Sequence, residues 1–447
     1  MEDKPSINVL IRDKFTQRSE GSFSLEEPLV LSFHGKGRNM HNDLDQIEQD
    51  IKSKLDPVIL DLYNIALVVY VWDLQTPRPQ FDPREFRCLM SVSNKDKWDN
   101  VKSHLEATLY FLTGDIFTFN FVQGKPAEKE FQFKKKSDEC VSLFSGGIDS
   151  LAGVKWMVDS GLKPVLVSHP GMGLISDTQK ELVLRLMKIT GNGLTWHRIR
   201  ATAEKGKDLK GKETTQFSRS FLYLTLGAVY ALTIGIEKEF IFENGILALN
   251  VPLTQSRIYS NTRTAHPRFL KMYEHLLSLL FGPHVAVENP FIALTKGEVA
   301  KLLDADGFRD LVGMTMSCPY VSHLRYEKVK TGTTRHCGVC FPCVIRRVSM
   351  HHANLWNNDA KYSKDVTAPF PKIPEEGVKL LFEMMDFARQ MDKCSAIDDV
   401  FIEFPQFFIE DIDPIMLFDM TKRHVVQFKD FLMQKAHQSL RQYLGLY

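Results

Sequence analysis

Hydrophobic and polar positions divide the chain into three stretches with different grammar. Residues 1 to about 137 alternate short β-like runs (INVLI, LVLSF, IALVVYVW, CLMSV, FTFNFV) with two polar, amphipathic stretches near 41–55 and 98–112. That pattern predicts a small α+β unit. The segment Gly124 to Glu139 is charged and nearly free of branched aliphatics, and it places a domain boundary near residue 137. From Cys140 the chain repeats strand, loop and helix: CVSLF, LAGVKWMVDSG, PVLVSHP, then SDTQKELVLRLMKITG, which opens on a Ser/Asp cap and closes at Gly191. LTWHRI, EFIFENG and VAVENP read as further strands, separated by helical stretches at 219–236 and 263–281. Such alternation predicts a parallel sheet covered on both faces. After Cys343 the pattern turns mostly helical, with PEEGVKLLFEMMDFARQM and DMTKRHVVQFKDFLMQKAHQSLRQYL as amphipathic segments. The expected division is 1–137, 138–354 and 355–447. In the last part a stripe of Phe401, Phe404, Phe407 and Phe408 reads as core.

Composition changes this picture little. A chain of 447 residues suits two or three such units. Fifty-six Lys and Arg face fifty-five Asp and Glu, a net charge of +1, so no global field is available to hold a polyanion. That argues against a nucleic-acid partner. The first twenty residues are charged throughout, which predicts no secretory signal, and no run approaches the ~20 apolar residues of a spanning helix. A cytoplasmic protein without a membrane partner is expected. Of seven cysteines, four fall between Cys318 and Cys343, a distribution that suggests metal binding more than a disulfide framework.

The candidate chemistry begins where an apolar strand runs into Ser145-Gly146-Gly147-Ile148-Asp149-Ser150 and then a helix. Gly146 and Gly147 allow close approach of backbone to an anion. Exposed amides and the helix N-terminus offer donors and a positive dipole end. Ser145 and Ser150 add hydroxyls, and Asp149 can cap the helix or approach Mg2+. No Walker lysine and no three-glycine dinucleotide fingerprint accompanies the loop. The plain alternative is a Gly-Gly turn with an Asp cap. Farther on, Cys337-Gly338-Val339-Cys340-Phe341-Pro342-Cys343 spaces three thiols by two residues each, with Cys318 upstream. Four thiolates can close a tetrahedral Zn2+ shell. An iron–sulfur cluster and free thiols are the competing readings, and His323 or His336 is available to replace a ligand.

SGGIDS after an apolar strand resembles the PP-loop of the N-type ATP pyrophosphatases. With the later S-C…C-G-x-C-x-x-C it resembles QueC, the 7-cyano-7-deazaguanine synthase, over residues 140 to about 350. The resemblance implies a parallel five-stranded sheet of the HUP-like, adenine nucleotide alpha hydrolase-like kind with helices on both faces. To this the sequence adds the N-terminal α+β domain and a helical C-terminal extension with a zinc knuckle. It also implies ATP and Mg2+ at Ser145, Gly146, Gly147, Ile148, Asp149, Ser150 and Ser168, and Zn2+ at Cys318, Cys337, Cys340 and Cys343. The substrate, a deazaguanine carboxylate, is expected at Arg219, Glu243 and Asn244, at the carboxyl ends of the strands. Asp149, Ser150 and Lys296, with Arg263 and His266 from the basic group Arg257, Arg263, His266 and Arg268, are the expected catalytic residues. Each has a plain alternative as a cap, a surface ion pair or an ordinary loop residue.

The chain departs from QueC in its added N-terminal and C-terminal stretches, in Ser168-His169-Pro170-Gly171 after the second strand, in Ser220 after Arg219, and in a longer first cysteine gap. It looks more like a longer branch found in bacterial anti-phage operons, the QatC-like proteins. For that branch the resemblance implies an adenylate attacked by an amine of a protein partner from the same operon. Competing readings are a nitrile synthase using ammonia, a tRNA-thiolating or amidating enzyme, and a catalytically silent binding module.

Overall fold

The computed structural model describes residues 6–11, 16, 29–33, 38–51, 54–79, 82–126, 131–170, 173–191, 193–203, 213, 215–254, 263–404 and 412–446. The N-terminal part runs β1 (Ser6–Ile11), β2 (Leu29–Leu31), β3 (Met40–Asn42), α1 (Leu44–Ile51), α2 (Pro57–Gln75), β4 (Glu85–Val92), α3 (Lys95–Thr113) and β5 (Ile116–Gln123). Its sheet has the order β2-β1-β4-β5, and every pairing is parallel. The α+β expectation is therefore corrected to α/β. FTFNFV alternates apolar and polar residues, a pattern common in antiparallel strands with one wet face. In the fold β5 is a sheet edge, and an edge strand of a parallel sheet also keeps one side exposed.

A second correction concerns IALVVYVW, read as strand, which lies inside α2. Fourteen of the nineteen residues of α2 are buried, so its apolar positions run around the whole cylinder and show no 3.6 period. The overlooked signal was the start: Asp56 caps Val58 N at 2.8 Å, and Pro57 opens the helix. By length and composition α2 also qualifies as a membrane span, which corrects the expectation that no run comes close. Its apolar window is 78% buried inside the molecule.

The second part runs β6 (Cys140–Leu143), α4 (Ile148–Asp159), β7 (Pro164–Ser168), α5 (Leu174–Ile189), β8 (Thr195–Arg198), β9 (Ala201–Ala203), α6 (Arg219–Ile234), β10 (Lys238–Phe240), α7 (Gly245–Ala248), α8 (Pro267–Phe281), β11 (Ala286–Glu288) and α9 (Lys296–Lys301). Five strands form one parallel sheet in the order β11-β10-β6-β7-β8. The chain walks one way from β6 to β8, then crosses to β10 and β11 on the other side. The carboxyl ends of β6 and β10 therefore flank a topological switch point, where open α/β sheets leave a crevice.

The two sheets share a hydrophobic core. α2 packs on α6 and α3 on α8, and one buried cluster runs from Trp72 and Phe86 to Val141, Val165 and Val167. On its other face the second sheet is covered by α4 and α5, with Leu151, Leu182 and Phe240 in a separate core. Beyond α9 come α10 (Val321–Thr331), β12 (Arg335–His336), α11 (Phe341–His352), β13 (Lys361–Tyr362), α12 (Glu375–Lys393), α13 (Ile397–Glu403), α14 (Pro414–Lys435) and α15 (Gln438–Tyr443). The last helices bury Leu381, Phe404, Met420 and Phe428 against Ile246 and Val348. Phe401 packs against this core, as expected of the stripe, while Phe407 and Phe408 lie outside the described residues.

Candidate active site

β6 is buried at every position, and it delivers the chain to the switch point at Ser145, which is exposed. Gly146 turns the backbone with φ 82°, a conformation that side-chain-bearing residues rarely adopt, and a Cβ there would meet Gln179 Cγ at 3.2 Å. Gly147 is the N-cap of α4 and makes no side-chain cap bond. Ser145 Oγ lies 3.2 Å from Ser150 Oγ and accepts from Gly147 N at 3.3 Å, and Ser150 Oγ donates to the Gly147 carbonyl at 3.1 Å. The loop is gripped from outside. Gln179 Nε2 donates to the Ser145 carbonyl at 3.1 Å, and Met316 N donates to the Gly146 carbonyl at 3.2 Å.

Asp149, on the first turn of α4, faces residues from across the crevice. Lys296 Nζ pairs with its Oδ2, and Asn244 Nδ2 lies 3.4 Å from both carboxylate oxygens. Both partners are buried, at 6% and 0% exposure, so the carboxylate and ammonium meet with little water to screen them. Asn244 is held by accepting from Leu247 N at 3.3 Å as the cap of α7. Lys296 opens α9 behind a capping box, in which Thr295 Oγ1 accepts from Glu298 N at 3.1 Å and Glu298 Oε2 accepts from Thr295 N at 2.8 Å. From α14, Gln427 approaches Thr295 Oγ1 at 3.0 Å, and Arg423 binds Glu298 at 2.6 Å. Helix α14 thus props the turn that carries Lys296.

The other residues singled out by sequence make contacts of their own. Ser168 is 1% exposed; its Oγ donates to the Phe144 carbonyl at 2.7 Å and accepts from Trp196 Nε1 at 3.0 Å, which commits the hydroxyl to joining strands. Glu243 lies between Asp149's partner Asn244 and the sheet, with its backbone clamped by Asn289 at 3.2 and 2.8 Å. Arg219 opens α6 at the surface, its guanidinium 5.6 Å from the Tyr223 ring. Arg263 and His266 turn toward the N-terminal part: Arg263 donates to the Phe111 carbonyl, and His266 caps α8 with its ring 5.3 Å from Phe111. Arg268 also lies over Phe111, at 5.3 Å, while Arg257 falls outside the described residues. Arg263, His266 and Arg268 therefore stand at the α3–α8 seam, where the sequence suggested contact with the phosphates.

Sequence reasoning passed over His169. Its ring stacks on Tyr223 at 5.4 Å, and its Nε2 donates to the Ala201 carbonyl at 2.8 Å. Burial holds its pKa below the ordinary imidazole value, so the ring is neutral.

The four cysteines converge as spacing suggested. Their sulfur atoms all lie within 4.8 Å of one another, and Cys337 Sγ is 3.8 Å from Cys343 Sγ. A single tetrahedral zinc with bonds of about 2.3 Å requires sulfurs about 3.8 Å apart. The donor set therefore fits one ion and is too tight to enclose a multi-iron cluster. Hydrogen bonds from Cys318, then Cys340 and Cys343, hold Cys337 well below the ordinary thiol value, and Cys318 and Cys337 push Cys340 and Cys343 above it. Gly338, at φ 89°, makes the knuckle turn. The His336 ring lies 5.8 Å from Tyr362, and the His323 side chain lies outside those described. Buried Arg346 of α11 donates to the carbonyls of Val312 and Thr315 and to Ser317 Oγ, at 2.9 to 3.2 Å. It ties the cysteine knuckle to the segment whose Met316 amide holds the loop.

Residues 175–354 match the family model for Queuosine biosynthesis protein QueC. This segment is similar to QueC. The QueC match takes in Asn244, Lys296 and all four cysteines, and begins after the glycine loop. Among curated relatives, a 7-cyano-7-deazaguanine synthase of Sulfolobus acidocaldarius is 24% identical over 48% of this chain and 46% of its own length. One from Saccharolobus solfataricus is 22% identical over 48% and 46%. One from Polynucleobacter asymbioticus is 26% identical over 50% of this chain and 91% of its own. The matched region thus spans about half the length of the two archaeal QueC relatives. A ketoreductase domain from the bacillaene assembly line aligns at 10% identity over 75% of this chain and 88% of that one, with a TM-score of 0.21, a value that supports no argument.

Proposed function

We propose that this chain is an ATP-dependent enzyme that activates the carboxylate of a 7-carboxy-7-deazaguanine-type substrate and passes the acyl group to an amine. The observation that carries this reading is the meeting of the loop Ser145–Ser150 with Lys296 and Asn244 at the switch point of the five-stranded sheet. The curated relatives with QueC-like sequences point to the deazaguanine class.

In this reading the sheet is the PP-loop sheet, and the amides of Gly146 to Ile148 and the hydroxyls of Ser145 and Ser150 hold the β- and γ-phosphates. A carboxylate oxygen of the substrate attacks the α-phosphorus, a P–O bond forms to the acyl oxygen, and the bond to pyrophosphate breaks. Lys296 moves from Asp149 onto the phosphoryl oxygens as charge builds there. Asp149 is the group that would hold Mg2+, which supplies charge neutralisation on the triphosphate. An amine nitrogen then attacks the acyl carbon, the C–N bond forms, AMP leaves with the former carboxylate oxygen, and the nitrogen loses a proton. Zn2+ at the four cysteines is structural, since no open position remains.

For the acceptor we favour an amine of a partner protein, in the manner of the QatC-like anti-phage branch, and a cytoplasmic setting. The N-terminal part, which packs α2 on α6, and the C-terminal part, whose α14 braces the turn carrying Lys296, support this by adding surface beside the elements of the site, where a protein nucleophile needs a docking wall. Ammonia, giving the nitrile synthase activity of the named relatives, is the second reading, favoured by the QueC match. The chain, ATP and 7-carboxy-7-deazaguanine are incubated with ammonia or with the protein encoded beside this chain, and products are weighed by mass spectrometry. A deazaguanine amide on the partner protein is expected. A free nitrile selects the second reading, and absence of AMP with either acceptor discards both.

A further inference from the structure

The N-terminal part reaches the stretch that leads into α6, the helix that opens on Arg219. Asp73, in the last turn of α2, is fully buried. Its Oδ2 accepts from Ser218 N at 2.9 Å and from Ser218 Oγ at 2.8 Å. Ser218 is the N-cap of α6 but makes no cap bond with its own side chain. A carboxylate 145 positions away therefore caps this helix, with its charge at the positive end of the dipole.

Asp73 is itself locked. Its Oδ1 accepts from Arg84 Nη2 at 2.5 Å, and Arg84, with no exposure, is shared with Asp115. Further ties follow the same stretch. Arg78 N donates to Glu213 at 2.7 Å, Glu213 N donates to the Leu74 carbonyl at 3.0 Å, and the Arg78 guanidinium covers the Phe217 ring at 4.4 Å. Gln216 stands at φ 51°, a left-handed backbone unusual for a side-chain-bearing residue. Its Oε1 accepts from Tyr70 Oη and from Arg219 Nη1, each at 3.4 Å. One turn of α2 thus reaches the same amide oxygen as the arginine.

We infer that Asp73 is a positioning residue for Arg219: the N-terminal part caps α6 and fixes the 215–218 turn, and so sets where the guanidinium meets an anionic substrate. The inference rests on the proposed function and on Arg219 meeting its carboxylate substrate: the guanidinium lies over Tyr223, whose ring stacks on His169 just past the end of β7. The cap itself does not depend on it.

Asp73→Asn keeps the shape and removes the charge, and Ser218→Ala removes one of the two hydrogen bonds without touching the Arg84 network. Hydrogen exchange at the amides of Ser218 to Leu222 is expected to quicken about tenfold in Asp73→Asn and less in Ser218→Ala, as loss of a helix cap implies, with α4 unchanged. In AMP-release assays both variants are expected to raise KM for the carboxylate substrate severalfold, Asp73→Asn more, with kcat and KM for ATP held. Unchanged exchange in both variants overturns the cap. Faster exchange with kcat and both KM values falling or rising together assigns Asp73 a structural role only and overturns the positioning. If the wild type releases no AMP with this substrate, the functional reading fails, and the exchange result still decides the cap. If Asp73→Asn does not fold, Ser218→Ala carries both measurements.

Discussion

Lys296 and Asp149 form an ion pair across 147 positions of sequence, with Lys296 buried at the opening of one helix and Asp149 in the first turn of another. Neither residue has a local reason to face the other. Strand order brings them together: β6 leads into the loop of Asp149, β11 lies two places along past β10 and leads into the turn of Lys296, and these parallel strands end on the same side of the sheet.

Replacing Lys296 tests the chemistry at this pair. Lys296→Gln is expected to lower the rate of AMP formation by about 10²–10³-fold, the range for removing one charged donor from a developing oxyanion. KM for ATP should change much less. Chromatography of AMP and pyrophosphate at saturating ATP reads both, and a rate within a factor of three of wild type removes Lys296 from the mechanism.

Gly146 tests the loop backbone. At φ 82°, and with Gln179 Cγ 3.2 Å from any added Cβ, Gly146→Ala is expected to lose about 1–2 kcal/mol of stability and most of its ATP binding. Denaturant unfolding and isothermal titration with ATP measure the two effects. A variant that binds ATP as the wild type does would show that this backbone turn is dispensable.

Helix α14 props the turn of Lys296 through Gln427 and Arg423. Gln427→Leu leaves Thr295 Oγ1 without that partner and is expected to lower kcat about tenfold, with a loss of about 1 kcal/mol in folding stability. Rates measured well below the melting temperature separate the two. A stability loss with unchanged kcat would assign the helix to packing alone.

Elemental analysis should find one zinc per chain and no iron. Stripping the metal, or changing Cys343 to Ser, is expected to expose the 315–318 segment to proteolysis and to weaken ATP binding, because Met316 N holds the Gly146 carbonyl. Retained ATP affinity in metal-free protein would break that link.

Glu239 provides a pH test outside the site. It is fully buried, neither carboxylate oxygen has a hydrogen-bond partner among the described residues, and burial pushes its pKa well above the ordinary 4.5. The folded chain keeps the proton that the unfolded chain releases above pH 4.5, so this group's stabilising share is complete below that pH and is lost as pH rises toward the raised folded value. Glu239→Gln is expected to be more stable than wild type at pH 8 and nearly equal at pH 4. Thermal melts across that range check it, and parallel pH profiles would rule it out.

Several features were legible because they are local. The glycine loop and the CxxCxxC knuckle depend on neighbours within a few positions. IALVVYVW was not legible, because a helix buried all round carries no periodic signal, and the edge position of β5 made a parallel strand alternate. Arg263 and His266 misled for a related reason: a basic cluster looks the same whether it faces a phosphate or caps a helix against Phe111.

By itself the sequence determined the alternation of strands and helices after Cys140, the glycine turn, and a four-thiol set, since each is encoded in spacing that backbone geometry reads directly. Only the tertiary structure decided that Asp149 faces Lys296 and Asn244, that the four sulfurs close to single-ion distance, and that Asp73 caps a helix 145 positions away. Those relationships come from strand order and from burial in a shared core. Spacing along the chain does not encode which strand ends become neighbours.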